Sequence, residues 1–98
     1  MNVNWERRYY GPDYWILCLT AEFSKKKVYR GEILYRLKAS GPTCEFNFTS
    51  LGINGKKIDY TKTEEEMKKE ALMFLKQKME TRINEYTLFC DNINSMYK

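Results

Sequence analysis

Residues 63–97, TEEEMKKEALMFLKQKMETRINEYTLFCDNINSMY, decide how this chain is built. Wound at about 100° per residue, Met67, Ala71, Leu72, Leu75, Met79, Ile83, Tyr86, Phe89, Cys90, Ile93, Met96 and Tyr97 fall in one arc under half the circumference, the mark of an amphipathic helix. The start carries its own punctuation. In Thr63-Glu64-Glu65-Glu66 the threonine hydroxyl can take the amide of Glu66 while the Glu66 carboxylate reaches back, a capping box, and three carboxylates sit at the positive end of the helix dipole. Glu64 with Lys68 and Glu65 with Lys69 are expected as pairs one turn apart. Lys68, Lys78 and Arg82 interrupt the stripe and are expected to lay their aliphatic stems along it.

The helix divides into two unlike halves. Up to about Ile83 it is rich in strong helix formers, whereas Asn84, Thr87, Asp91, Asn92, Asn94 and Ser95 are weak ones. The apolar phase nevertheless persists to the end. A segment with poor propensity and a continuous apolar face is helical only through contacts with something else. About 35 residues span roughly 50 Å as a helix, against about 33 Å for a ten-residue strand, so one end should overhang any sheet beneath it. Two outcomes are open: the last turns bend back onto the sheet, or they bury in a partner or a second copy.

What precedes the helix alternates with period two. In residues 14–23, Trp15, Leu17, Leu19, Ala21 and Phe23 occupy one face of a strand and Ile16, Cys18, Thr20 and Glu22 the other. A polar loop, Ser24-Lys25-Lys26-Lys27, leads to residues 28–39, with Tyr29, Gly31, Ile33, Tyr35 and Leu37 on the core face. Gly31 is expected to mark a bulge or the close approach of the helix or the Trp15 ring. After Ser40-Gly41-Pro42-Thr43, Cys44, Phe46 and Phe48 form a third strand, and Asn54-Gly55 reads as a tight turn into a short fourth strand at residues 56–60. Trp5, Tyr9 and Tyr10 lie upstream of the turn Gly11-Pro12-Asp13, in a segment whose short alternation leaves an edge strand and an ordered arm both open, with the arm preferred.

The expected fold is therefore α+β: one domain over residues 1–98, with an arm at 1–13, an antiparallel three- or four-stranded β-meander at 14–60, and a long C-terminal α-helix at 63–97 packed on one face. Ninety-eight residues leave room for one core, and an aromatic share of 15% supplies large side chains to fill it.

Several chemistries lack their parts. The chain has no histidine, which removes the commonest general acid/base and metal ligand. Cys18, Cys44 and Cys90 form no close pair and read as small buried hydrophobes. Gly52-Ile53-Asn54-Gly55-Lys56 lacks the spacing of a phosphate loop. No enzyme activity, cofactor or metal is expected. The first residues hold no apolar export segment and the longest apolar run, residues 14–19, is far below a membrane span of about 20 residues, so a cytoplasmic protein without membrane contact is expected.

Two binding readings remain. The first is a small non-catalytic protein that occupies a surface of a larger protein, as an inhibitor or adaptor of the phage or mobile-element kind. Its contacts would come from the aromatic arm, Trp5, Tyr9 and Tyr10, and the helix end, Tyr86, Phe89, Ile93 and Tyr97, because Tyr, Trp and Arg dominate binding hot spots. The same helix end would serve a homodimer. The second reading is a nucleic acid, or a protein bound to one, held by Lys25, Lys26, Lys27, Arg30, Arg36 and Lys38. A net charge of +4 is compatible with it, although Glu22 and Glu32 share the face.

Overall fold

The computed structural model describes residues 2–96, with Phe23 by its backbone alone. Five strands, β1 (Asn2–Gly11), β2 (Tyr14–Ser24), β3 (Lys27–Lys38), β4 (Gly41–Phe48) and β5 (Ile53–Lys57), lie side by side in chain order, each antiparallel to the next. Helix α1 (Glu64–Met96) covers one face. The α+β meander under a C-terminal helix is the expected architecture, with five strands in place of three or four.

The additional strand is β1, which resolves the choice between arm and edge strand against the preferred arm. It pairs with β2 from Asn2 opposite Glu22 to Gly11 opposite Tyr14. Val3 and Trp5 face the helix side and pack against the core, while Arg7 and Tyr9 continue the same face with a charge and a phenol. That polar continuation disguises the period of two in the sequence. Gly11 stands at φ +150° where the register slips, a conformation that L side chains rarely adopt.

The last reversal also differs from expectation. A single 3-10 turn, Thr49–Leu51, closes on Gly52, which takes the left-handed conformation at φ 71° and donates its N–H to the Thr49 carbonyl at 2.9 Å. Asn54-Gly55 lies inside β5, where the Gly55 N–H donates to Asn47 Oδ1 at 2.6 Å. Ile58, just past β5, is buried and donates its N–H to the Cys44 carbonyl at 3.0 Å.

The core forms between the helix and the sheet. Leu17, Leu19 and Ala21 of β2, Ile33 of β3, Cys44, Phe46 and Phe48 of β4, and Ile53 and Ile58 meet Met67, Ala71 and Leu75 of α1. Burying each large member contributes about 1.5–3 kcal/mol. Leu37, assigned to the core by its alternation, is 45% exposed. It sits opposite Pro42 near the far end of β3, beyond the reach of the helix. Gly31 admits neither the helix nor Trp15. A β-carbon there would meet Asn47 O and Phe48 Cδ2, each at 2.6 Å, so the close approach comes from β4.

The capping box forms as expected: the Glu66 N–H donates to the Thr63 hydroxyl at 3.2 Å, and the Thr63 N–H donates back to Glu66 Oε1 at 3.2 Å. The two neighbouring glutamates find other partners than expected. Glu65 pairs with Lys68 at 3.2 Å, and Glu64 with Arg7 of β1 at 2.9 Å. Of the cysteines, Cys44 is buried, Cys18 is half-buried and Cys90, expected inside, is exposed on the helix.

Candidate functional site

The α1–sheet contact ends well before the helix does. Met67, Ala71 and Leu75 are buried and Met79 is partly buried, whereas every described residue from Ile83 onward is exposed. About four turns, roughly 20 Å of helix, extend past the sheet in a molecule whose longest dimension is 61 Å. Tyr86 and Phe89 are 62% and 63% exposed and Met96 is 75% exposed. Of the two outcomes left open by the sequence, back-packing does not occur. Tyr86, Phe89 and Ile93 thus share one uncovered helix, and Tyr97 lies outside the described residues.

The aromatic side chains near the N-terminus assemble at the other end of the molecule, beside the start of α1. Tyr9, Trp15, Tyr35 and Cys44 stand in register across β1 to β4 on the helix side. The Trp15 and Tyr35 rings stack with centroids 5.1 Å apart and planes 8° from parallel. Above them the Arg7 guanidinium lies 5.3 Å from the Tyr9 ring centre and 5.9 Å from that of Trp15, while also bonding Glu64. On the opposite face of the same end, Arg36 sits 4.7 Å above Tyr14, and Tyr10 meets Tyr14 edge-on at 5.0 Å. The turn between β1 and β2 is anchored by the Leu37 N–H, which donates to the Asp13 carbonyl at 2.8 Å.

The two groups of expected contact residues therefore do not form one surface. Tyr9 and Tyr10, 60% and 63% exposed, belong to the aromatic end, and Tyr86, Phe89 and Ile93 to the overhang at the opposite end. Trp5 packs against the core and acts as framework. Arg7, Tyr14, Trp15 and Tyr35 complete the aromatic end and were absent from the expected contacts, and Arg36, expected as a nucleic-acid contact, joins them. Only the strand register brings them together: β2 against β3 sets Trp15 beside Tyr35 and Tyr14 beside Arg36, and β1 adds Arg7 and Tyr9.

The basic residues are distributed differently again. Arg30, Arg36 and Lys38 lie on the open face of the sheet, with Arg8 and Lys57. Glu6, Glu22, Glu32 and Glu45 share that face, with Glu32 of β3 opposite Cys18 and Asn47 in the middle of it. Opposite charges thus alternate across the surface that a polyanion would have to cover. Lys25, Lys26 and Lys27 cap the β2–β3 hairpin, at the end where the overhang leaves the body.

Among the described residues no group of three or more Cys, Asp or Glu is placed to hold a metal ion, and no helix is long and apolar enough to cross a membrane. Burial pushes the Cys44 thiol up to about 11, with Glu70, Glu45 and Asp59 adding to the shift. That favours the thiol over the nucleophilic thiolate.

The fold is a two-layer α+β domain with one uncovered sheet face. No protein-family model, curated protein or solved structure matches the chain.

Proposed function

We propose that the protein is a non-catalytic binding module that holds a larger protein through the aromatic end of its sheet. The single observation that carries this reading is the aromatic end of the sheet, where Arg7, Tyr9, Trp15 and Tyr35 cluster on the helix side and Tyr10, Tyr14 and Arg36 on the opposite face, with Tyr9 and Tyr10 mostly exposed. Tyr, Trp and Arg are the residue types that supply most binding energy at protein interfaces. Here they are held on strands and by stacking, so little conformational freedom is lost when a partner docks. The larger protein is one on which occupation of a surface inhibits or recruits, which suits an inhibitor or adaptor of the phage or mobile-element kind.

The nucleic-acid reading draws less support. Glutamates alternate with the arginines on the open sheet face, and phosphate recognition gains most from an unbroken basic track.

The test is affinity capture from the cells that make the protein, comparing wild type with a Tyr9→Ser/Tyr10→Ser double variant, with and without nuclease. The expected result is a protein retained by the wild type through nuclease treatment and lost with the double variant. Loss of one hot-spot tyrosine typically costs about 2 kcal/mol, or roughly 30-fold in affinity. Retention of nuclease-sensitive material alone, lost steeply between about 50 and 200 mM salt, would overturn the proposal.

A further inference from the structure

The overhang has an orientation that restricts what can cover it. Counted at about 100° per residue from Leu75, which is buried against the sheet, the side chains of Arg82, Tyr86, Phe89 and Ile93 stay within roughly 40° of the same direction. The apolar side of the overhang therefore faces the level of the sheet, just beyond the sheet's end. A helix laid along that side in parallel would run back into the protein's own sheet. One laid antiparallel runs clear of it.

From this we infer that the occupant is a second copy of the chain, its overhang antiparallel to the first about a two-fold axis near Asp91. The spacing supports that register: Tyr86, Phe89, Ile93 and Met96 follow the three-four alternation of a coiled-coil seam. Antiparallel pairing sets Tyr86 against the partner's Met96 and Phe89 against the partner's Ile93, each twice, and brings the two copies of Cys90 together near the axis.

Charge points to the same occupant. Residues 83–96 contain Glu85 and Asp91 and neither lysine nor arginine, in a chain whose net charge is +4. The rest of the chain is correspondingly more positive. The sheet end from which the overhang departs is the one that carries Lys25, Lys26 and Lys27: Val3, which shares an apolar groove with Met79 and Ile83, is paired with Ala21, and the hairpin lies further out in the same direction. In the antiparallel pair the four carboxylates of the two overhangs lie between two lysine-tipped bodies. A parallel pair would lack that alternation.

The aromatic ends then stand at the two far tips of an elongated dimer. Such a protein engages two partner molecules, or two sites on one, and gains avidity without new contacts.

The experiment is sedimentation velocity of the full chain from low to high micromolar concentration, alongside Phe89→Asp and Tyr9→Ser/Tyr10→Ser. The expected result is concentration-dependent dimerisation of wild type and of the tyrosine variant, with association of Phe89→Asp weakened at least about 30-fold. Orientation is read by mixing a Tyr86→Cys chain with a Met96→Cys chain, both carrying Cys90→Ser, under mild oxidation. Cross-linking between unlike chains supports the antiparallel pair, and cross-linking only between like chains overturns it. A wild-type chain that stays monomeric throughout overturns the inference altogether. Capture that depends on Tyr9 and Tyr10 would stand or fall separately.

Discussion

Gly31 of β3 and Phe48 of β4 are packed so closely that the glycine has no room for a side chain: a β-carbon on Gly31 would lie 2.6 Å from Phe48 Cδ2 and 2.6 Å from the Asn47 carbonyl oxygen. Phe48 is fully buried, so its ring has nowhere to move. Overpacking of this kind costs about 1–3 kcal/mol. Gly31→Ala should therefore lower the thermal midpoint by several degrees, at about 4–8 °C per kcal/mol for a domain of this size. An unchanged melting curve would show that the strands separate without cost.

The two halves of α1 should respond oppositely to truncation. Leu75 is 1% exposed within the core, and replacing such a leucine by alanine costs about 2–5 kcal/mol. Phe89 is larger but 63% exposed. Phe89→Ala should change the stability of the dilute monomer by no more than about 0.5 kcal/mol, while weakening association. Urea denaturation at low protein concentration checks both, and a comparable loss for the two variants would mean that the overhang is packed.

The capping box gives a pH signature. The Thr63 N–H and hydroxyl both donate to Glu66 and hold its carboxyl below the usual range, and the Thr61 hydroxyl and N–H do the same for Asp59. A carboxyl whose folded value is lowered contributes stability that is complete above its unfolded value, about 4, and is lost as the pH falls through the folded one. Thr63→Ala should cost about 1 kcal/mol near neutrality. In denaturation curves followed with pH, that difference should shrink as the solution is acidified below about pH 4. A difference independent of pH would assign the effect to the hydroxyl's bond with the Glu66 amide alone.

Thiol chemistry separates the cysteines. Cys44 is buried, with its thiol pushed up to about 11, and Cys90 is exposed on the overhang. Brief alkylation of the folded protein at mildly alkaline pH, dilute enough to be monomeric, should label Cys90 and leave Cys44 unmodified until the chain is unfolded. Peptide mass spectrometry reads the order, and early labelling of Cys44 would contradict its placement under the helix.

Much of the architecture was legible because the largest side chains obey one period each. Leu17, Leu19, Ile33, Phe46 and Phe48 alternate cleanly, and Met67, Ala71 and Leu75 mark the helix face, so sheet, helix and capping box follow from pattern alone. Two strands were obscured for different physical reasons. In β1 the face toward the helix passes from Val3 and Trp5 to Arg7 and Tyr9, and an edge strand with half its inward face polar does not alternate in hydropathy. In β5 the dipeptide Asn54-Gly55 carries turn chemistry, and Gly55 does take a left-handed φ of 65°, but it does so at a register shift inside the strand, bonded to the Asn47 side chain, and not at the reversal between strands. The site was legible in part. The exposed tyrosines and the overhang follow from composition and helix length, whereas the stack of Arg7, Trp15 and Tyr35 depends on strand register. The same register scatters the basic residues among glutamates.

In the proposed dimer, α1 is one helix with two sources of order: the sheet up to about Arg82 and a second molecule beyond it. Amide hydrogen exchange along α1, followed at low and high micromolar concentration, tests it most directly. Residues 64–82 should be protected at both concentrations, and residues 83–96 should exchange almost freely when dilute and become protected as the chain associates. Equal protection along the whole helix, independent of concentration, would contradict the account.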